Sequence, residues 1–183
     1  MAEPADHLHV VGKITQELRR FGFEPVLVGG MALVILGSRR VTRDFDFVVA
    51  SPGHRLDSVV DVFYGQGLEL VSRLDESGNV TATIANRRVA SIRLRLDAPA
   101  SASFFNVSTG LRVDLLFDFP VPAANLVAHA TRLTIRGQSL LMASEEDLLQ
   151  LKRTAAAARS VPGDADDIAF LESRMREQSG ASQ

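Results

Sequence analysis

Asp44 and Asp46 are the residues of this 183-residue sequence whose type and spacing point most directly to chemistry. Segment 44–49 alternates polar and apolar residues at its start, which predicts a β-strand, and side chains two positions apart on a strand share a face. We therefore expect both carboxylates to project together, with Phe45 and Phe47 on the opposite, core-facing side. Two carboxylates this close repel each other unless a cation lies between them, and Mg²⁺ prefers such oxygen ligands. The same pattern is also compatible with an exposed strand edge whose aspartates are solvated.

A glycine pair and a third aspartate favour the metal interpretation. Gly29 and Gly30 lie between a predicted strand and a short apolar helix. At such a turn, small residues let backbone N–H groups approach a phosphate, and the helix dipole favours the anion. Asp114 lies within the strand-like, otherwise largely apolar segment 111–117, where a carboxylate is costly to bury unless it is paired or bound to metal. Three acids beside a glycine turn therefore predict a site for magnesium and phosphates.

The elements that must position these residues follow from hydrophobic periodicity. Helices are predicted at 7–21, 31–36, 54–64, 144–158 and 164–176. Strands are predicted at 26–28, 44–49, 68–73, 80–84, 89–96 and 111–117, with a hairpin at 133–142 that turns near Gly137. This order is a mixed α/β (α+β) pattern and not the regular alternation of a parallel α/β protein.

The composition excludes several classes of protein. The chain has no cysteine, which excludes a disulfide framework, a thiolate zinc site and a cysteine nucleophile. Its net charge of -2 gives no sign of a nucleic-acid binder. No signal peptide is visible, and the longest apolar stretch, 26–37, is too short to cross a bilayer. We therefore expect a soluble, cytoplasmic protein without a membrane partner.

Two blocks of the sequence resemble the signature of the DNA polymerase β-type nucleotidyltransferase superfamily. They are Val28-Gly-Gly-Met-Ala32 and Gly37-Ser-Arg-Arg-Val-Thr-Arg-Asp-Phe-Asp46. That signature consists of a Gly-Gly or Gly-Ser turn, a spacer, Asp-x-Asp on a strand, and a third aspartate on a later strand. The version Arg40-x-Thr42-x-Asp44-x-Asp46 is similar to the abortive-infection (AbiEii-type) toxin nucleotidyltransferases and their relatives.

The C-terminal part extends this resemblance, which spans roughly 26–171. Segment 134–152 is similar to that group's hairpin and helix ending in a lysine, and 164–168 resembles its final Lys-Asp-x-x-Asp motif. Gly163 stands where the group usually has a basic residue. The resemblance implies a nucleotidyltransferase fold, with a mixed β-sheet flanked by helices and a C-terminal helical segment. We expect one domain over 1–177, with a core at about 5–120, a hairpin and helical tail at about 133–177, and a disordered end at 178–183.

The resemblance also implies an activity, namely transfer of a nucleoside monophosphate from a nucleoside triphosphate to a hydroxyl of tRNA or protein. Asp44, Asp46 and Asp114 would be the catalytic residues and the ligands of a two-metal magnesium site. The residues implied to bind the nucleotide are Gly29, Gly30, Arg40, Thr42 and Lys152. If the chain is the toxin of a toxin–antitoxin pair, an antitoxin protein is a further partner.

Other interpretations remain open. The short chain and Gly163 are compatible with a non-catalytic nucleotide-binding or regulatory protein of the same fold. Lys152 is equally compatible with a helix-surface lysine, and Arg40 and Thr42 with a solvated loop. A dinucleotide-binding turn is excluded because its third glycine is absent.

Two charged groups are predicted to be structural. Asp164 and Asp167 are expected to cap or pair within the last helices. Four arginines at 87, 88, 93 and 95 could track the phosphates of an RNA. We predict instead a charged outer sheet face, because Ile92, Leu94 and Leu96 account for a core side and no aromatic residues interleave.

Overall fold

The computed structural model describes residues 4–159 and 161–181 of the chain. Its helices are α1 (Pro4–Arg20), α2 (Gly29–Ile35), α3 (Leu56–Gly65), α4 (Arg87–Asp97), α5 (Ala123–Val127), α6 (Glu145–Ala158) and α7 (Asp164–Gly180), with a 3-10 turn at Gly53–Arg55. Its strands are β1 (Val26–Val28), β2 (Phe45–Val49), β3 (Glu69–Leu74), β4 (Val80–Ile84), β5 (Ser101–Phe105), β6 (Arg112–Phe117), β7 (Thr131–Ile135) and β8 (Gln138–Met142). The mixed α/β class predicted from the sequence is confirmed.

The strands form one mixed sheet in the order β4-β3-β5-β6-β2-β1-β8-β7. Strand β2 runs parallel to β6, β1 runs parallel to β8, and the other neighbours are antiparallel. Val28 at the end of β1 pairs with Asp46 near the start of β2. The register therefore brings the end of β1 and the starts of β2 and β6 to one place in the middle of the sheet.

Strand β2 has an apolar and a polar face at its start. Phe45 and Phe47 are buried, as the alternation predicts, while Asp46 between them is partly exposed. Amphipathic helix α1 buries Val11, Ile14 and Leu18 completely. A side chain that alternates with the buried phenylalanines must point to the other face of the sheet, and this geometry directs the acidic residues away from the core.

Most predicted elements are confirmed to within a few residues, but the strand predicted at 89–96 is wrong. This segment lies in helix α4, and the Asn86 side chain caps the helix by accepting a hydrogen bond from the Val89 backbone N–H at 3.1 Å. The helix buries Ala90, Ser91 and Leu94, which lie on one helical face. The apparent period of two came from residues at 92 and 96 that are exposed.

The predicted charged sheet face is wrong for the same reason. Arg95 donates to Asp57 of α3 at 2.8 Å, and Arg93 donates to Asp97 within α4 at 2.7 Å. Arg87 donates to Asp61 of α3. These arginines lie on the surface of a helix and are ion-paired, so they do not form the predicted sheet face.

Three further features differ from the sequence prediction. Strand β5 and the short helix α5 were not predicted. Helix α7 continues through Gly180, so residues 178–180 are helical where the sequence predicts the start of a disordered end. Residues 182 and 183 lie outside the described residues, as do 1–3 and 160 of the predicted domain.

None of the helices in the described ranges has the length and apolar character needed to cross a bilayer.

Candidate active site

The three predicted acids lie at the junction of β1, β2 and β6. Asp46 and Asp114 are direct register partners on parallel strands, so their side chains share a face of the sheet. Asp44 is the residue immediately before β2, two positions from Asp46. The register therefore places Asp46 beside Asp114, and Asp44 precedes the strand instead of lying in it.

The glycine pair lies against this acidic junction. Gly29 and Gly30 are the first two residues of α2, which begins earlier than predicted, and Gly29 has a φ of +69°. A β-carbon on Gly29 would collide with the Asp46 carboxylate, and one on Gly30 would lie 2.9 Å from the guanidinium carbon of Arg40. At Gly29 the positive φ adds to this collision, whereas the neighbour of Gly30 is the end of a flexible arginine side chain.

A cleft of about 500 Å³ opens over these residues. One end of the cleft carries the acids and the glycine turn. Along the sheet, Val48 follows Asp46 and Leu116 follows Asp114 at two-residue spacing, so the floor becomes apolar towards Phe119. Helix α6 forms the facing wall through residues spaced three or four apart, namely Leu148, Leu151, Lys152, Ala155 and Ala158. The cleft therefore has a charged end and an apolar end.

The acidic end carries excess negative charge. The pKa of Asp46 is raised to about 7, mainly by burial and then by the negative charges of Asp114 and Asp44, against the smaller lowering by Arg112 and Lys152. Burial is also the main cause of the raised pKa of Asp44, to which Asp114 adds. A group of carboxylates that disfavours its own ionisation is an environment that a cation would stabilise.

Arg112 is the cation closest to the acids and was not predicted as a site residue. Its Nε donates to Asp114 Oδ1 at 2.9 Å, and its other nitrogens donate to Ser103 Oγ and the Gly78 carbonyl at 3.3 and 3.2 Å. Burial lowers the pKa of Arg112, but the hydrogen bond and charge of Asp114 and the nearby acids raise it by more. Arg112 lies two residues before Asp114 on the same strand, so the alternation of the strand could have indicated that the two side chains share a face.

Arg40 and Lys152 line the cleft, and both contact the same acid of helix α7. Lys152 Nζ lies 2.7 Å from Asp167 Oδ2 and 3.5 Å from Asp164 Oδ1. Arg40 donates to the same Oδ2 of Asp167. Asp164 and Asp167 are both buried, at 6% and 4% exposure. The expectation that these acids pair is met, but their partners come from α6 and from the loop before β2.

The structure places seven of the eight residues predicted for the site in the lining of the cleft. Every predicted nucleotide-binding residue lines the cleft with Asp44 and Asp46: Gly29, Gly30, Arg40, Thr42 and Lys152. Asp114 lies beside Asp46 in the sheet, and its carboxylate is turned to Arg112. Within the described part of the chain, no three His, Cys, Asp or Glu side chains already form a metal-ligand group. The functional roles of these residues remain predictions.

Comparison with known proteins identifies the fold. No protein-family model matches the chain, and no curated protein matches it. Among solved structures, an antigenic nucleotidyltransferase-like protein from Paracoccidioides brasiliensis is similar, with a TM-score of 0.56 and 17% identity over 90% of this chain and 74% of that chain.

Two antibiotic-modifying proteins are similar at comparable levels. The lincosamide antibiotic adenylyltransferase LnuA, bound to lincomycin, has a TM-score of 0.54 and 13% identity over 90% of this chain and 96% of its own. ANT(2'')-Ia in complex with adenylyl-2''-tobramycin has a TM-score of 0.55 and 13% identity over 92% of this chain and 88% of its own. The chain therefore has the nucleotidyltransferase fold, and its structural neighbours are nucleotidyltransferase-like proteins.

Proposed function

We propose that this chain is a metal-dependent nucleotidyltransferase that moves a nucleoside monophosphate from a nucleoside triphosphate to a hydroxyl acceptor. The observation that carries the proposal is the register pairing of Asp46 with Asp114, with Asp44 and the Gly29 turn beside them. The arrangement puts carboxylates, backbone N–H donors and cationic side chains around one cleft. These are the groups that phosphoryl transfer requires.

The donor set fits magnesium. Asp44 and Asp46 offer only carboxylate oxygens, which hard divalent cations prefer, and burial is the main cause of their raised pKa values, so a bound cation would favour their ionised form. These two residues would hold the ion, and Asp114 would complete a second metal position. When bound, Mg²⁺ would neutralise charge on the attacking and leaving oxygens.

The residues of the chain would supply the remaining functions. In the reaction, the acceptor oxygen forms a bond to the α-phosphorus, the bond from that phosphorus to the bridging oxygen breaks, and pyrophosphate leaves. Asp114 would help to take the hydroxyl proton. The N–H groups at Gly29 and Gly30 would contact phosphate oxygens, and Arg40 and Lys152 would offset the charge of the triphosphate. Thr42 would orient the loop that carries Arg40.

The sequence resemblance and the structural neighbours each suggest a class of acceptor. The resemblance to AbiEii-type proteins implies tRNA or protein, a cytoplasmic toxin and an antitoxin partner. The structural neighbours LnuA and ANT(2'')-Ia suggest a third class, because an antibiotic is bound to one and an adenylylated antibiotic to the other. A small hydroxylated molecule therefore belongs in any acceptor screen.

The proposal is tested by transfer of label from each α-labelled nucleoside triphosphate, with Mg²⁺, to total tRNA, protein, aminoglycosides and lincosamides. We expect label on one acceptor class, and a loss of at least 100-fold in Asp46→Asn because the metal-binding charge is removed. Asp97→Asn is the matched control, since Asp97 is exposed on α4. Equal transfer by wild type and Asp46→Asn would refute the proposal.

One observation favours a second candidate, a non-catalytic nucleotide-binding protein of the same fold. Arg112 forms a salt bridge with Asp114. The third carboxylate of the site is therefore already paired with a cation of the chain itself. Calorimetry with each triphosphate separates the two candidates. Magnesium-dependent binding without release of pyrophosphate would support the second candidate, and turnover would exclude it.

A further inference from the structure

Helix α7 contributes no residue to the cleft lining, yet its acids contact two cations that do. Arg40 and Lys152 both lie against Oδ2 of Asp167. Because one oxygen serves both groups, the guanidinium and the ammonium lie side by side. Two adjacent positive charges repel unless an anion lies between them.

Side-chain exposure decreases from the two cations, Arg40 and Lys152, to the two acids of α7. Asp167 is almost inaccessible, the Lys152 side chain is 14% exposed, and the Arg40 side chain is 34% exposed. Asp164 lies behind Lys152, and no hydrogen-bond partner of its Oδ2 is found among the residues that the structure describes. The acids therefore form the base of the network and the cations form its cleft side.

The cations face the acidic end of the cleft. Lys152 is near enough to Asp46 for its charge to lower the pKa of that carboxyl, against the larger effect of burial. The guanidinium of Arg40 lies over Gly30 at the start of α2. A polyphosphate at the glycine turn would thus meet both cations along one wall.

We propose that Asp167 is a positioning residue, which holds Arg40 and Lys152 together on the cleft wall as one polyphosphate-binding pair. This inference rests on the proposed function, since it assigns the polyphosphate of that same site to a pair of residues fixed from α7. A preorganised pair of cations loses less side-chain freedom on binding than two independent ones. Asp164 supports the pair through Lys152.

The test exploits opposite expectations from net charge and from positioning. Asp167→Asn removes a negative charge, so attraction by net charge alone would tighten binding of an anion. Positioning predicts the reverse, an increase of roughly tenfold in the Kd for inorganic tripolyphosphate, measured by calorimetry on the full chain at low salt. Asp166→Asn is the matched control, because Asp166 is exposed one residue away and carries the same charge. Its Kd should stay the same or fall.

A second readout observes the cation directly. Lys13 and Lys152 are the only lysines of the sequence, so side-chain NMR of labelled lysine gives two signals, assigned with Lys13→Arg. Asp167→Asn should move the Lys152 signal towards that of an exposed lysine, and Asp166→Asn should leave it in place. If Asp167→Asn does not fold, Asp167→Glu keeps the charge but displaces the carboxylate, and the Kd should again rise.

The outcomes separate this inference from the proposed function. Wild type that binds tripolyphosphate tenfold more tightly than Asp167→Asn, but transfers no nucleotide, supports the positioning role and contradicts the enzyme. Tripolyphosphate binding that is as tight in Asp167→Asn as in Asp166→Asn overturns the positioning role, even if wild type is active. Absence of tripolyphosphate binding by wild type overturns it as well.

Discussion

Asp46 is the residue at which stability and the proposed activity oppose each other. Its carboxylate is held against the Gly29 turn, beside Asp44 and Asp114, and the nearest cation, Arg112, donates to Asp114. Ionising such a group is unfavourable until a further cation arrives. A carboxylate whose ionisation is unfavourable lowers the local stability, and such a cost is expected at a functional site, where selection for activity offsets it.

Replacing Asp46 by asparagine should stabilise the metal-free protein at neutral pH. The pKa of Asp46 is about 7 in the folded protein, against an ordinary value of 3.8. Below about pH 4 the carboxyl is neutral in both states, so it costs no stability. Between about pH 4 and 7 the unfolded chain ionises first, and wild-type stability falls as pH rises. We expect Asp46→Asn to raise the free energy of unfolding by roughly 1–3 kcal/mol above pH 7 and not below pH 4.

Urea unfolding in a chelating buffer from pH 4 to 8 measures this difference. Asp97→Asn, on exposed α4, is the control and should show little dependence on pH. Added Mg²⁺ should then stabilise wild type more than Asp46→Asn, because the variant has lost a ligand charge. Destabilisation by Asp46→Asn above pH 7, or no differential effect of Mg²⁺, would contradict the assignment.

At the scale of elements, the β1–α2 turn carries the tightest steric requirement of the site. Gly29 begins α2 and Gly37 follows its end, and both have positive φ, at +69° and +102°. A β-carbon on Gly37 would meet nothing within 4 Å, whereas one on Gly29 would meet Asp46. The two positions therefore separate backbone strain from collision with the site.

Gly29→Ala should lower the free energy of unfolding by about 2–4 kcal/mol, and Gly37→Ala by about 1 kcal/mol, since only the first adds a collision to the cost of positive φ. Thermal and urea unfolding measure both variants, and calorimetry with tripolyphosphate reports the turn itself. Binding should weaken only in Gly29→Ala. Equal loss of stability in the two variants would show that the close approach to Asp46 has no energetic weight.

The elements also show where sequence reasoning succeeds. Strand β2 was predictable because buried phenylalanines alternate with acids, and α6 was predictable because Ser144 caps it, accepting a hydrogen bond from the Asp147 N–H at 3.1 Å. Helix α4 was not, because its residues 92–96 alternate as a strand would while Asn86 supplies a cap that a period-two reading ignores. The alternation indicates a strand and the cap indicates a helix, and the helix packs against α3.

The site was predictable in its composition and not in its ion pairing. A glycine turn, Asp-x-Asp and a later strand aspartate predict which residues meet, and the register confirms that Asp46 and Asp114 are neighbours. Arg112 and Asp114 are two residues apart on β6, but the pairing of Arg40 and Lys152 with Asp167 depends on side chains from distant elements. Sequence spacing carries no information about those distances, which are fixed by how α6 and α7 pack on the sheet.

At the scale of the whole molecule, helix α7 connects the two sides of the cleft. Arg174 donates to the carboxylate of Glu145 at the start of α6, with its shortest contact at 2.9 Å, and to the Leu36 carbonyl after α2, also at 2.9 Å. Leu171 on the same helix is fully buried. The helix that holds the cations through Asp167 is thus itself fixed to the helix that begins with the glycine turn.

Arg174→Met tests this connection, because methionine keeps an apolar stem and removes the donors. We expect the free energy of unfolding at pH 7 to fall by about 1–2 kcal/mol, and that of Arg153→Met, which breaks only an exposed pair with Glu172, by less than about 0.5 kcal/mol. The hydrogen bond from Arg174 is the main cause of the lowered pKa of Glu145, whose ordinary value is 4.5. The carboxylate therefore contributes its stability above pH 4.5 and loses it as pH falls through the lowered value. Urea unfolding of both variants at pH 7 and at pH 3 should show the Arg174→Met deficit shrinking at the lower pH, and a deficit that is the same at both would mean that Glu145 is not its source.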